Sequence, residues 1–219
     1  MDVDTVNENG QPEGAAAEGP RVASAPFNKP AADVILRSSD QIDFHVRRAI
    51  LSEVSSVFES MFNLPQPTSD STSTDGRTSV HATVHTDGCS VIVLQEDAST
   101  LDALLRICYP LSRQPFTTID ALSPVLAAAT KYAMDDIVLI LRGELRNLAK
   151  TFPLRTYCVA VQYRFAEEVE YAARATLDIS RHTLYNAIAT IPELRFIDGR
   201  AALSLLEYRE RCVAALAHL

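Results

Sequence analysis

Between Asp33 and Phe62 the spacing of apolar residues changes period, and no other stretch constrains the fold as tightly. In the first half they alternate, Val34 and Leu36 on one face and then Ile42, Phe44 and Val46. A period of two is the pattern of a half-buried strand. Ser38-Ser39-Asp40-Gln41 between the two runs is built of turn formers, so the stretch reads as a β-hairpin with one apolar face. From Ala49 the period lengthens toward that of a helix. Ala49, Ile50 and Leu51 are expected to pack as one short helical turn. A second helix is expected from Ser56, where Ser56-Val57-Phe58-Glu59 fits a capping box. Phe58, Met61 and Phe62 follow at i, i+3 and i+4, an apolar stripe that must find a partner.

The rest of the chain is mostly helical in pattern. Residues 1–26 are Glu, Asp, Ala, Gly and Pro with almost no large apolar side chain, and read as a disordered acidic tail. Phe27 is the expected first anchor of the folded part. After Phe62, Asn63-Leu64-Pro65-Gln66-Pro67 ends the helix, and residues 65–88 read as a mobile insert. Within that insert Ser79 to Thr86 alternates weakly, as an edge strand would. Val91 to Leu94 is a continuous apolar run, hence a buried strand. Ser99-Thr100-Leu101-Asp102 is the expected cap of a helix with Leu101, Leu104, Leu105 and Cys108 inside, stopped at Pro110.

Leu122, Val125, Leu126 and Ala129 then mark a helix from Asp120, with Pro124 placed in its first turn. Asp135 and Asp136 open another, with Val138, Leu141, Leu145 and Leu148 inward and Arg142, Arg146 and Lys150 suiting its dipole. Beyond Thr151 one helical stripe runs from Leu154 through Tyr157, Cys158, Val161, Phe165 and Val169 to Ala172. On its solvent side Arg164 is expected to face Glu168, and Glu170 to face Arg174. A short helix over Thr183–Thr190 breaks at Pro192. The last runs from Gly199 with Ala202, Leu205, Leu206, Val213 and Leu216 inward, and the helices after Thr151 are expected to dock on the preceding pair.

Asp33-Val34-Ile35-Leu36, Asp43-Phe44-His45-Val46-Arg47-Arg48-Ala49-Ile50-Leu51 and Ser55-x-Val57-Phe58-x-x-Met61-Phe62 together resemble the opening of a BTB/POZ domain, and the resemblance runs through Leu148. It departs at one point: Arg47 holds the usual histidine position, and His45 sits two residues early. Cys108-Tyr109-Pro110 and the Leu205-Leu206-x-Tyr208-x-x-x-Cys212 phrase resemble those of the expanded set in mushroom-forming fungi. The resemblance implies an α+β fold, a small sheet capped by helices over residues 27–150, followed by an all-helical extension over 151–219. It implies binding of other proteins, a homodimer among them. Some members exchange an N-terminal strand between chains, but this tail lacks the alternating apolar residues such a strand needs.

The resemblance also supplies candidate partner-binding residues: Asp33, Arg47, Arg48, Leu64 and Gln66. It puts Asp33 and Arg48 close together at the mouth of a groove beside the hairpin. If both are covered they should form a charge-assisted bond, either tying hairpin to helix or receiving a partner. Members serving cullin ubiquitin ligases often carry a hydrophobic-x-Glu triplet after the Met-Phe helix. Here Leu64-Pro65-Gln66 has Gln where that Glu is expected, so a cullin is the alternative partner.

Charge and motif exclude several other classes. Five acidic residues of the tail against Arg21 carry a net −4 of the chain's −8. No basic face favours nucleic acid, and Arg47-Arg48 is too short to make one. No apolar run approaches the roughly eighteen residues of a membrane span, and no basic-then-apolar signal segment opens the chain. Four scattered cysteines suit a reduced intracellular compartment, cytoplasmic or nuclear, without a disulfide framework.

His81-x3-His85-x3-Cys89 has metal-ligand composition, but along one strand residues four apart lie about 13 Å from each other, too far to share an ion. His45 falls on the face opposite Phe44, beside Asp43 and Arg47, as a surface histidine. No Gly-x-Ser-x-Gly or Gly-rich phosphate loop is present, so neither catalytic residues nor a cofactor site are expected.

Overall fold

Val34 pairs with Val46 and Leu36 with Phe44 in the antiparallel hairpin of two strands, β2 (Val34–Arg37) and β3 (Ile42–Val46). The turn between them closes through Gln41 N–H to the Ser38 carbonyl at 3.1 Å, with Gln41 in the left-handed region at φ 62°. This computed structural model describes residues 19–63, 84–86, 89–188 and 190–217. Its sheet also holds β1 (Arg21–Val22), β4 (Val84–Thr86) and β5 (Cys89–Val93), in the order β1-β3-β2-β5-β4. β5 runs parallel to β2, and β4 is the antiparallel edge strand that the weak alternation before Thr86 foreshadowed.

The inner end of the tail differs from expectation. Arg21 N–H donates to the Gln41 carbonyl and Ala23 N–H to the Asp43 carbonyl, each at 2.9 Å, so β1 joins β3. Main-chain donors finding acceptors on a free strand edge suffice, without the alternating apolar side chains sequence reasoning looked for. Residues 1–18 lie outside the described residues, as do 64–83 and 87–88 of the insert.

α1 (Arg48–Val54) and α2 (Ser56–Asn63) follow the hairpin, then α3 (Ala98–Cys108), α4 (Ile119–Lys131) and α5 (Asp135–Leu148). Their apolar faces meet one face of the sheet: Leu36, Phe44 and Ile92 pack in one core with Leu51, Phe58, Leu104, Leu126 and Leu141. Each such side chain contributes about 1.5–3 kcal/mol by leaving water. Of the turn expected at Ala49-Ile50-Leu51, only Leu51 is fully buried. In α5 Ile137 is fully buried with Leu141, Leu145 and Leu148, while Val138 packs half-buried against the same core.

Three cap assignments shift by one or two residues. Ser55, not Ser56, caps α2: its hydroxyl accepts from Phe58 N–H at 3.0 Å and donates to the Tyr132 carbonyl at 2.5 Å. Burial of Ser55 decides this, since its hydroxyl needs both partners. Asp97, not Ser99, caps α3 by accepting from Thr100 N–H at 2.8 Å. Thr118 caps α4. Pro124 therefore stands in the second turn, on the exposed side of that helix, where water can satisfy the Asp120 carbonyl it leaves unbonded.

Beyond α5 the long stripe is two helices, α6 (Pro153–Gln162) and α7 (Ala166–Ala175), folded back on each other. Arg164 makes the break, in the left-handed region at φ 60°. Arg164 and Glu168 thus do not share one continuous helix. Glu168 is instead fully buried between α5 and α7, where Arg142 and Arg146 hold it. α8 (Arg181–Ile188), a 3-10 turn at Pro192–Phe196 and α9 (Gly199–Ala217) complete the chain. Val159 and Ala160 of α6 enter the main core, so the extension docks on the helices before it. A second cluster holds Leu154, Tyr157, Ala172, Leu184 and Leu205, whereas Val213, expected inward, is 63% exposed.

Candidate protein-interaction site

Asp33 stands just before β2, whose first residue Val34 pairs with Val46 at the end of β3, so the hairpin register itself brings it to Arg48 at the start of α1. Their contact differs from the expected ion pair. The Asp33 carboxylate accepts from the main-chain N–H of Arg48 at 2.6 Å, taking over the cap that Arg47, at the N-cap position, does not supply. Both short reach and helix polarity favour this, because the first-turn amides are unpaired and carry partial positive charge. Arg48's guanidinium turns the other way and lies over the Phe62 ring, 5.0 Å from its centroid. Arg47 is exposed, and its main-chain N–H donates to the Tyr109 hydroxyl at 2.8 Å.

Tyr109 was not among the expected site residues. Burial raises its phenol pKa above the ordinary value, with the hydrogen bond from Arg47 opposing. Its ring meets Phe27 edge-on at 5.5 Å, and Phe27 in turn packs on Phe44 at 5.9 Å. The signal available in sequence was the aromatic just before Pro110, at a helix end that must lie against something. Asp43 was also misplaced. Arg37 faces it across the hairpin and grips it with two hydrogen bonds of 2.7 and 2.8 Å, so Asp43 is buried and not beside a surface His45. Those bonds raise the Arg37 pKa. Counting cross-strand partners from the turn would have found this pair.

Around these charges α1 and α2 present a mixed surface. Val54, Val57 and Met61 are half-buried, packed on the core from one side and open on the other, and Ile50 is half-buried with them. Exposed Arg47, Glu53 and Glu59 border them. Apolar centre and charged rim are the composition of a protein-binding patch. Leu64 and Gln66 lie outside the described residues.

The His81-x3-His85-x3-Cys89 pattern falls partly outside them too. The chain turns back between Thr86 and Cys89, so His85 opposes Ser90 on the next strand and the separation argued along a single strand does not apply to it and Cys89. Cys89 itself donates to the Ala32 carbonyl at 3.5 Å. Among the described residues no group of three or more His, Cys, Asp and Glu side chains could hold a metal, and no helix is long and apolar enough to cross a membrane.

A family described as the BTB/POZ domain matches residues 26–147. Among solved structures the BTB domain of zebrafish PATZ1 is similar, at 18% identity and a TM-score of 0.35, over 51% of this chain and 73% of that one. A comparison with curated proteins finds no match.

Proposed function

We propose that this chain, which belongs to the BTB/POZ domain family, binds a second copy of itself through the α1–α2 face. BTB domains are in general protein–protein interaction modules, and a non-enzymatic role follows from reading this one the same way. One observation carries the choice of face: Ile50, Val54, Val57 and Met61 form a half-buried row on two adjoining helices. Leaving such a row in water forgoes apolar burial that a partner would recover. Asp33 anchors the start of α1 and leaves Arg47 exposed at the rim, where charge sets orientation more than affinity. β1 lies on β3 of its own chain, which supports a dimer made without strand exchange.

Sedimentation velocity on the full chain tests this. The unaltered chain should sediment as a dimer at micromolar concentration, and Val57→Asp with Met61→Asp as a monomer of unchanged helix content. A unaltered chain that stays monomeric throughout that range overturns the reading. A second reading, adaptor of a cullin ligase in the cytoplasm or nucleus, rests on Leu64-Pro65-Gln66 directly after α2. It predicts co-purification with a cullin, abolished by Leu64→Asp. The Cys108-Tyr109-Pro110 and Leu205-to-Cys212 phrases support a place in the fungal expanded set.

A further inference from the structure

The helical extension carries a groove of about 530 Å³ between the 3-10 turn at Thr176–Asp178, α8 and α9. That volume falls within the range of sites that take a ligand. Its lining is chiefly apolar, with Leu177, Ile179, Leu184, Leu206 and Val213. Leu184 is buried beneath, but Leu177 and Tyr185 are exposed, as is Val213. The apolar stripe of α9 that sequence reasoning turned inward therefore lines an open trench along part of its length.

Two arginines and one glutamate share the lining. Arg181 and Glu210 pair with each other across it at 3.1 Å, both well exposed. Arg209 is less well provided. Its Nη2 donates to the Ile179 carbonyl at 2.7 Å, while its Nη1 is shielded from solvent and meets no acceptor among the described residues. That Nη1 is closed to an incoming ligand, but the guanidinium keeps its positive charge, and Arg209 is one of the residues that line the groove. Because Glu210 already serves Arg181, the cation left over in the groove is Arg209, and the complementary group is a carboxylate.

We propose that this groove docks an amphipathic helix of another protein, one that seats large apolar side chains at helical spacing and aims one Asp or Glu at Arg209. Helix-in-groove recognition needs this combination, an apolar trench read at i, i+3 or i+4 and i+7, with a charged contact to fix register. The inference rests on reading the chain as an interaction module but uses a different face from α1–α2. One chain could thus engage two partners at once.

The test is selection from a displayed library of random peptides against the full chain, each long enough to form about four helical turns. Enriched peptides should carry apolar residues at helical spacing with an acidic residue among them. A synthetic copy should bind at least about tenfold more weakly to Val213→Asp, and about tenfold more weakly to Arg209→Gln. Val213 is mostly exposed, so Val213→Asp keeps the fold, which circular dichroism checks. Binding should be unchanged in Met61→Asp, so failure of the α1–α2 dimer leaves this result standing. Failure to enrich any peptide overturns the proposal, as do enriched peptides without an acidic residue or equal binding to Val213→Asp. Self-association of the chain lost on Val213→Asp would assign the groove to a second copy and overturn it equally.

Discussion

Replacing Glu168 with alanine should cost more stability than removing any other single charge among the described residues. The carboxylate is 0% exposed and accepts three N–H bonds, from Arg142 at 3.1 and 2.8 Å and from Arg146 at 2.8 Å. Breaking a buried pair typically costs about 3–5 kcal/mol, because the partner left behind keeps its desolvation penalty. Here the arginine side chains are 24% and 42% exposed and can turn partly to water, which puts the cost near the lower bound, about 3 kcal/mol. For a chain of this length that is about 6–12 °C in melting temperature. Glu168→Gln should cost nearly as much, since its amide turns N–H donors toward guanidinium donors.

The pH dependence is separable from this. Burial alone would push the Glu168 carboxyl up, but hydrogen bonds from Arg142, the backbone and Arg146 outweigh it and hold the pKa below the ordinary value. A depressed folded-state pKa contributes stability that is fully present above the unfolded value, about 4.3, and lost as pH falls through the folded one. Urea unfolding followed by circular dichroism, from neutral pH downward, should show this acid-side loss in the parent and less of it in Glu168→Ala. A cost under about 1 kcal/mol at neutral pH, the size expected of a surface pair, would show that Glu168 is not held as a buried charge. So would an unchanged slope on the acid side.

Three further outcomes follow from the core. Ser55→Ala removes a hydroxyl that both caps α2 and serves the Tyr132 carbonyl, and should cost about 2–3 kcal/mol by urea unfolding; Ser56→Ala, at the exposed neighbour, should cost almost nothing. Phe27→Ala should cost about 3–5 kcal/mol and should speed hydrogen exchange at the His45 amide, which donates to the Phe27 carbonyl at 2.8 Å. Unaltered exchange there would place Phe27 outside the cooperative core. Burial pushes the Cys108 and Cys158 thiols up to about 12, so at mildly alkaline pH a disulfide reagent should modify both only as fast as the chain unfolds. Modification of either faster than global unfolding would contradict their packing.

How much was legible in the sequence depended on range. The hairpin from Val34 to Val46, the strand at Val91 and the inward faces of α3, α4 and α5 all follow from apolar spacing along a few turns or residues. Such spacing acts locally, because a residue's neighbours on one face are set by its own helix or strand. The family resemblance was equally local, carried by residues that sit close in sequence between Asp33 and Phe62. Helix ends were less legible: Ser55 and Ser56 both offer a hydroxyl, and only burial against Tyr132 selects between them.

What the tertiary structure alone decided are the pairings between distant segments. Glu168 looked like a solvent-side partner for Arg164 until the turn at Arg164 reversed the chain and carried it under Arg142 and Arg146. Asp33 looked like a counter-ion for the Arg48 side chain, but the nearer unpaired amide claimed its carboxylate. β1 carried no apolar alternation and still joined the sheet through backbone bonds. A charge or a main-chain donor takes whichever partner packing brings within about 3 Å, and spacing along the chain carries little information about what lies that close in space.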